Sequence, residues 1–159
     1  MLRKVTLLTA VVAVMTMVLA VAAYADTFNG TNGPDVLTGT DETDEIRGFG
    51  GSDELRGLGE GDFIWGGSGA DFIWGGAGDD ELRGGPGNDE VRGQAGEDTI
   101  VGGTGDDFLY GGPGEDFIDS ADGENGNDAV FGGGGYDKCF VDEGDFASGC
   151  EEINGVVQV

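Results

Sequence analysis

The chain has 159 residues, of which 35 are Gly, 32 are Asp or Glu, 7 are Lys or Arg and none is His. A formal charge of −25 excludes nucleic acid as a partner, because phosphate binding needs a basic footprint, and it disfavours an anionic membrane surface. Gly stands at about three times its usual share, and with so many acids that composition would ordinarily describe a disordered chain.

In chain order, Arg3 and Lys4 open a positive segment and Val5 to Ala23 is uncharged and almost wholly apolar. Ala23-Tyr24-Ala25 then places small residues at both recognition positions of an A-x-A cleavage site. Residues 1–25 therefore read as a secretory signal peptide, with the mature chain starting at Asp26. The competing reading is an uncleaved membrane anchor, but no positive stop-transfer flank follows. Removing Arg3 and Lys4 takes the charge from −25 to −27.

The remainder is one repeat. Asp recurs every nine residues at Asp35, Asp44, Asp53, Asp62, Asp71, Asp80, Asp89, Asp98, Asp107 and Asp116. After a three-residue insertion around Ser120 to Asp122 it resumes at Asp128 and Asp137, making twelve units. Two residues after each Asp stands Leu37, Ile46, Leu55, Ile64, Ile73, Leu82, Val91, Ile100, Leu109, Ile118, Val130 or Cys139. Five residues before each Asp is Gly in every unit. Two residues before it is Gly in ten, with Glu42 and Glu60 the exceptions.

Gly at fixed places admits positive φ and close backbone approach, so each unit begins with a sharp turn. The residues after Asp alternate outward, inward, outward, a three-residue strand of period two. One unit cannot bury its apolar side chain alone. Two units make a coil of eighteen residues, and stacked coils bury a row of aliphatics between two parallel sheets. Gly interrupts the mature sequence too often for a helix. Stacking also brings the aspartates of successive coils together, where like charges repel unless something cationic lies between them. Carboxylates and the carbonyls of Gly-rich turns are hard oxygen ligands that suit Ca²⁺ better than Mg²⁺, which dehydrates reluctantly.

The unit G-G-x-G-x-D resembles the RTX, or haemolysin-type, calcium-binding nonapeptide repeat. It is complete six times, ending at Asp71, Asp80, Asp89, Asp107, Asp116 and Asp137, and the resemblance spans residues 30–140. It implies an all-β parallel β-roll, a two-sheet solenoid, with Ca²⁺ in the turns between coils. Its implied ligands are the twelve aspartates and the carbonyls of Gly67, Gly69, Gly76, Gly78, Gly85, Gly87, Gly103, Gly105, Gly112 and Gly114, which would give about ten sites. The departures at Glu42 and Glu60 weaken the pattern at that end. The resemblance also implies a C-terminal secretion signal and an effector domain; this sequence reads instead as a stand-alone secreted repeat protein with an N-terminal signal.

The positions flanking the inward residue point outward. Glu45/Arg47, Glu54/Arg56, Glu81/Arg83 and Glu90/Arg92 alternate with Phe63/Trp65, Phe72/Trp74 and Phe108/Tyr110. Arg56, Trp74, Arg92 and Tyr110 should stack on one face, and Arg47, Trp65 and Arg83 on the other. Two roles are open to Trp65, Trp74 and Tyr110: a cation–π ladder that stiffens each sheet, or an exposed strip that binds glycan, cell wall, a protein or a second copy. Cys139 and Cys150 suit one disulfide in an oxidising compartment, with a free thiol pair as the alternative.

After Phe140 the period is lost, and residues 142–159 read as a cap on the roll of residues 26–141. Enzyme readings find little support. Ser52, Ser68, Ser120 and Ser148 have no His to activate them. Carboxylate pairs of glycosidase type exist in kind, but their periodic placement points to a metal. Asp122 to Asp128 lacks the EF-hand ligand order. The sequence thus predicts a secreted calcium-binding repeat protein that folds on Ca²⁺ after export, with a calcium-stabilised binding module as the alternative and no stable membrane association after cleavage.

Overall fold

The computed structural model describes residues 25–123 and 127–155. Residues 1–24, all but the last of the expected signal peptide, lie outside the described residues. Fifteen strands follow one another with no helix among the described residues. They are β1 (Thr27–Asn29), β2 (Val36–Thr38), β3 (Glu45–Gly50), β4 (Glu54–Gly59), β5 (Phe63–Ser68), β6 (Phe72–Ala77), β7 (Glu81–Pro86) and β8 (Glu90–Ala95). Next come β9 (Thr99–Thr104), β10 (Phe108–Pro113), β11 (Phe117–Asp119), β12 (Ala129–Gly134), β13 (Lys138–Val141), β14 (Phe146–Ser148) and β15 (Glu152–Gly155).

Odd-numbered strands form an eight-stranded sheet and even-numbered strands a seven-stranded one, and every pairing is parallel. The register is the repeat itself, with Ile64 opposite Leu82 and Ile73 opposite Val91. This is a two-sheet solenoid of about seven coils, the architecture the nine-residue period predicts. The insertion after Asp119 lengthens one coil, so Phe117 pairs with Lys138.

The core is the single row of side chains at the inward position. Ile46, Leu55, Ile64, Ile73, Leu82, Val91, Ile100, Leu109, Ile118, Val130 and Cys139 are fully buried, while Leu37, in the first strand of its sheet, is only partly so. Buried aliphatics contribute about 1.5–3 kcal/mol each, so this thin row stabilises each coil modestly.

The strands are longer than expected. Most of the internal ones run six residues, because the glycine-rich segment stays in the ladder: Gly76 pairs with Gln94, and Ala77 with Ala95. The roll also runs past both ends of the twelve units. Thr27–Asn29 adds a strand before Asp35, and β14 and β15, within the segment read as a cap, extend both sheets. Cys139 and Cys150 are joined in a disulfide with Cα atoms 6.0 Å apart.

Candidate metal centre

Each motif Asp immediately precedes a strand, and stacking places these residues in two columns, one along each edge of the roll. Eleven of the twelve, Asp44 to Asp137, are no more than 4 % exposed. Within a column the main-chain N–H of one Asp donates to Oδ1 of the Asp one coil further on. Asp53 donates to Asp71 over 2.8 Å, Asp71 to Asp89 over 2.8 Å and Asp89 to Asp107 over 2.8 Å. The other column runs from Asp44 through Asp62, Asp80, Asp98 and Asp116 to Asp137 in the same way. Part of the expected repulsion is therefore met by backbone amides, which favour the ionised form.

The second oxygen has no such partner. Oδ2 of Asp53, Asp62, Asp71, Asp80, Asp89, Asp98, Asp107, Asp116, Asp128 and Asp137 is buried without any hydrogen bond. Burying ionised oxygens unpaired is costly. Burial accordingly pushes Asp80, Asp89 and Asp128 up to about 7, and Asp62, Asp98, Asp107 and Asp116 up to about 6. Asp53, Asp71 and Asp137 are also raised, mainly by burial. In every case the amide bond pulls the other way and neighbouring carboxylates add to the rise.

The free oxygen lies over the glycine five residues earlier. A Cβ on Gly48 would sit 2.2 Å from Asp53 Oδ2 and 2.4 Å from the Gly66 carbonyl of the next coil, and one on Gly66 would sit 2.4 Å from Asp71 Oδ2 and 2.7 Å from the Gly84 carbonyl. In eleven of the twelve units Gly at this position is thus explained by close approach and not by positive φ; Gly123, before Asp128, is the exception, with φ at 87° and open space where a Cβ would lie. Positive φ belongs to the next residue, such as Gly67 at +113°, and where the sequence departs from Gly the backbone keeps that turn at Phe49 (74°), Leu58 (97°) and Gln94 (84°).

The turn carbonyls run along the roll. Those of Gly67, Gly69, Gly78, Gly85, Gly87, Gly112 and Gly114 abut the equivalent glycine one coil on, close enough that a Cβ there would clash. The Gly105 carbonyl accepts instead from Asn127 Nδ2 at 2.6 Å. One coil on from Gly76 stands Gln94, its partner in the ladder, and the position one coil on from Gly103 lies outside the described residues. Among the described residues no three metal-ligating side chains converge on one point, so an ion here would draw on main-chain oxygens as well. Buried, unpartnered carboxylate oxygens beside peptide carbonyls are a donor set that fits Ca²⁺.

The columns hold members that periodicity did not find. Asp26 N donates to Asp44 Oδ1, Asp145 accepts from the amides of Asn127 and Asp128, and Glu151 Oε2 accepts from Asp137 N. Asp26 lies one period before Asp35 and was legible; Asp145 and Glu151 are off the nine-residue spacing.

On the outer faces, Arg47 lies 5.1 Å over the Trp65 ring, Arg56 5.0 Å over Trp74 and Arg92 4.7 Å over Tyr110, with Tyr110 stacked in turn on Phe131 at 4.9 Å. Each of Arg47, Arg56, Arg83 and Arg92 is also paired with the Glu two residues earlier.

A parallel two-sheet roll with two columns of buried aspartates over glycine turns defines a calcium-type repeat solenoid. The family model of the RTX calcium-binding nonapeptide repeat matches in overlapping stretches over residues 29–139. The chain belongs to that family. No curated protein and no solved structure matches it.

Proposed function

We propose that this is an exported calcium-binding protein with a structural or surface role, whose roll forms when Ca²⁺ neutralises the two aspartate columns. The observation that carries the reading is the set of ten buried carboxylate oxygens without a hydrogen bond. Those of Asp53 to Asp137 hold the ion together with turn carbonyls, and bound Ca²⁺ supplies the positive charge that the columns lack. A chain of this composition, with one thin row of aliphatics, has little else to set against its conformational entropy. Residues 1–25 direct export, residues 26–141 form the roll and residues 142–159 close it. Folding then follows export, into a compartment where the disulfide is stable. No catalytic step is part of this reading. Far-UV circular dichroism of mature protein in EDTA and then in millimolar Ca²⁺ tests it; a full β spectrum in EDTA overturns it.

A second reading makes the outer face a binding surface for glycan, cell wall or protein. It is favoured by half-exposed Phe63, Phe72 and Phe108 beside Trp65, Trp74 and Tyr110, and by a groove of about 310 Å³ between Arg56, Leu58, Trp74 and Gln94. Replacing Trp65 and Trp74 by Ala separates the roles. Retained calcium folding with lost pull-down on cell wall or glycan favours the surface, whereas lost folding favours the ladder.

A further inference from the structure

The free carboxylate oxygen is a property of the middle of the roll. At Asp35 and Asp44 it is already taken. Thr31 donates to Asp35 Oδ2 from its main-chain N at 2.6 Å and from its hydroxyl at 3.0 Å, and Thr40 does the same to Asp44 Oδ2 at 2.6 and 3.0 Å. These threonines stand four residues before their aspartates, where the described units from Asp53 onward carry Gly, Phe49, Leu58 or Gln94 at positive φ. Neither threonine adopts that conformation, and so its amide turns onto the carboxylate.

The far end is closed by other means. Asp145 is fully buried, and its Oδ2 accepts from Asp142 N at 2.8 Å and from the buried Ser120 hydroxyl at 3.2 Å. Its Oδ1 accepts from the amides of Asn127 and Asp128, each at 3.3 Å. Both oxygens are satisfied by the chain itself.

We propose that the roll ends in hydrogen-bonded stops that take no calcium. Thr31 and Thr40 cap one end, Ser120 and the Asp142 amide cap the other, and metal sites are confined to the units from Asp53 to Asp137. Like charge at the open ends is thereby met without an ion, and Thr31 and Thr40 are the residues that decide between ligand and stop. The inference rests on the calcium reading above.

Calorimetric titration of mature protein with CaCl₂ tests it, with circular dichroism at saturating Ca²⁺ confirming that each variant reaches the parent fold. Asp35→Asn with Asp44→Asn should leave the number of bound ions unchanged, whereas Asp71→Asn with Asp89→Asn should lose bound ions. Thr31→Gly with Thr40→Gly should gain them, by freeing both carboxylates. Loss of calcium in the Asp35/Asp44 variant comparable to that in the Asp71/Asp89 variant overturns the proposal alone, as does an unchanged count in the threonine variant. No calcium uptake by the parent overturns the calcium reading and this proposal together.

Discussion

The main-chain amide of Asp71 donates to Oδ1 of Asp89 over 2.8 Å, one coil further on, while Oδ2 of Asp89 is buried with no hydrogen bond at all. One carboxylate therefore does two separable things. Oδ1 holds successive coils in register, and Oδ2 leaves a charge for something else to meet. Asp89→Ala removes both and strands the Asp71 amide, which costs about 1–3 kcal/mol. Asp89→Asn keeps an oxygen for that amide and removes the buried charge. In EDTA near neutral pH the Asn variant should therefore show at least the parent's β signal by circular dichroism and the Ala variant less. In calcium the Asn variant should gain less thermal stability than the parent does. Equal damage from Asn and Ala in EDTA would show that the charge is no liability.

Protons should partly replace calcium. The folded-state values of about 6 to 7 for most of the central aspartates lie above their ordinary 3.8, so the folded roll holds protons that the unfolded chain has released. The stabilising contribution is complete below about pH 4 and is lost as pH rises through about 6 to 7, the reverse of a salt-bridged carboxylate. In EDTA, lowering the pH from about 8 to about 5 should increase the β signal. With calcium present the dependence inverts, because protons and Ca²⁺ compete for the same oxygens, and the titration midpoint should move to higher calcium as pH falls. A β signal in EDTA that is flat or decreasing on acidification contradicts the first half of this prediction.

The four non-glycine residues at positive φ, Phe49, Leu58, Glu60 and Gln94, mark where the roll stores strain. Leu58 at φ 97° is opposite Gly76, itself opposite Gln94 at φ 84°. Left-handed backbone costs an L residue roughly 1–2 kcal/mol, offset in part by the roughly 0.5–1 kcal/mol that glycine loses in chain entropy. Leu58→Gly should therefore raise the midpoint of thermal unfolding slightly. The reverse change, Gly67→Ala, adds the same strain and drives a Cβ to 2.2 Å from the Phe49 carbonyl, so it should lower that midpoint by several degrees or abolish folding. Gly66→Ala tests a different contact, since its Cβ meets Asp71 Oδ2 at 2.4 Å; its loss should fall on calcium affinity as well as stability.

Much of this arrangement was legible because a solenoid repeats one local rule. Asp, Gly and an aliphatic residue held in register across twelve units fix the coil length, the inward row and the aspartate columns without any long-range information. The pairing of Arg56 with Trp74 followed from the same eighteen-residue coil. What escaped were places where geometry is set by neighbours in space. Asp145 takes its column position despite lying seventeen residues beyond Asp128, because the chain after β13 turns back one residue early. The six-residue strands escaped because Gly has low intrinsic strand preference, and only the adjacent coil keeps its amides paired. Thr31 and Thr40 escaped as well, because their amides turn onto Asp35 and Asp44 through backbone angles no composition reveals.

The outer ladders should contribute stability strand by strand. In the Trp74 column, Arg56 covers the ring at 5.0 Å and is anchored by Glu54. A cation–π contact at an exposed site is worth about 0.5–1 kcal/mol, with further loss from the apolar area that the indole covers. Trp74→Ala should lower stability in calcium by about 1–3 kcal/mol, and Arg56→Lys by less than about 1 kcal/mol, since Lys keeps the charge but not the planar stack. Urea unfolding in saturating calcium reads both. A Trp74→Ala variant as stable as the parent would leave the ladder without a structural role.

The disulfide should act locally. Cys139 is fully buried at the end of the aliphatic row, and its bond to Cys150 closes a loop of eleven residues' separation around β14. A bridge of this span contributes about 3 kcal/mol in the chain-entropy account. Each coil touches only its neighbours, so that contribution should reach the last coils and fade toward the centre. In calcium, Cys139→Ala with Cys150→Ala should speed hydrogen exchange at amides of β13, β14 and β15 by tenfold or more, at about 1.4 kcal/mol per tenfold, and leave β5 to β8 unchanged. Mass spectrometry of exchanged peptides resolves the two regions. Uniform acceleration along the roll would mean that it unfolds as a single cooperative unit, with the bridge stabilising all of it.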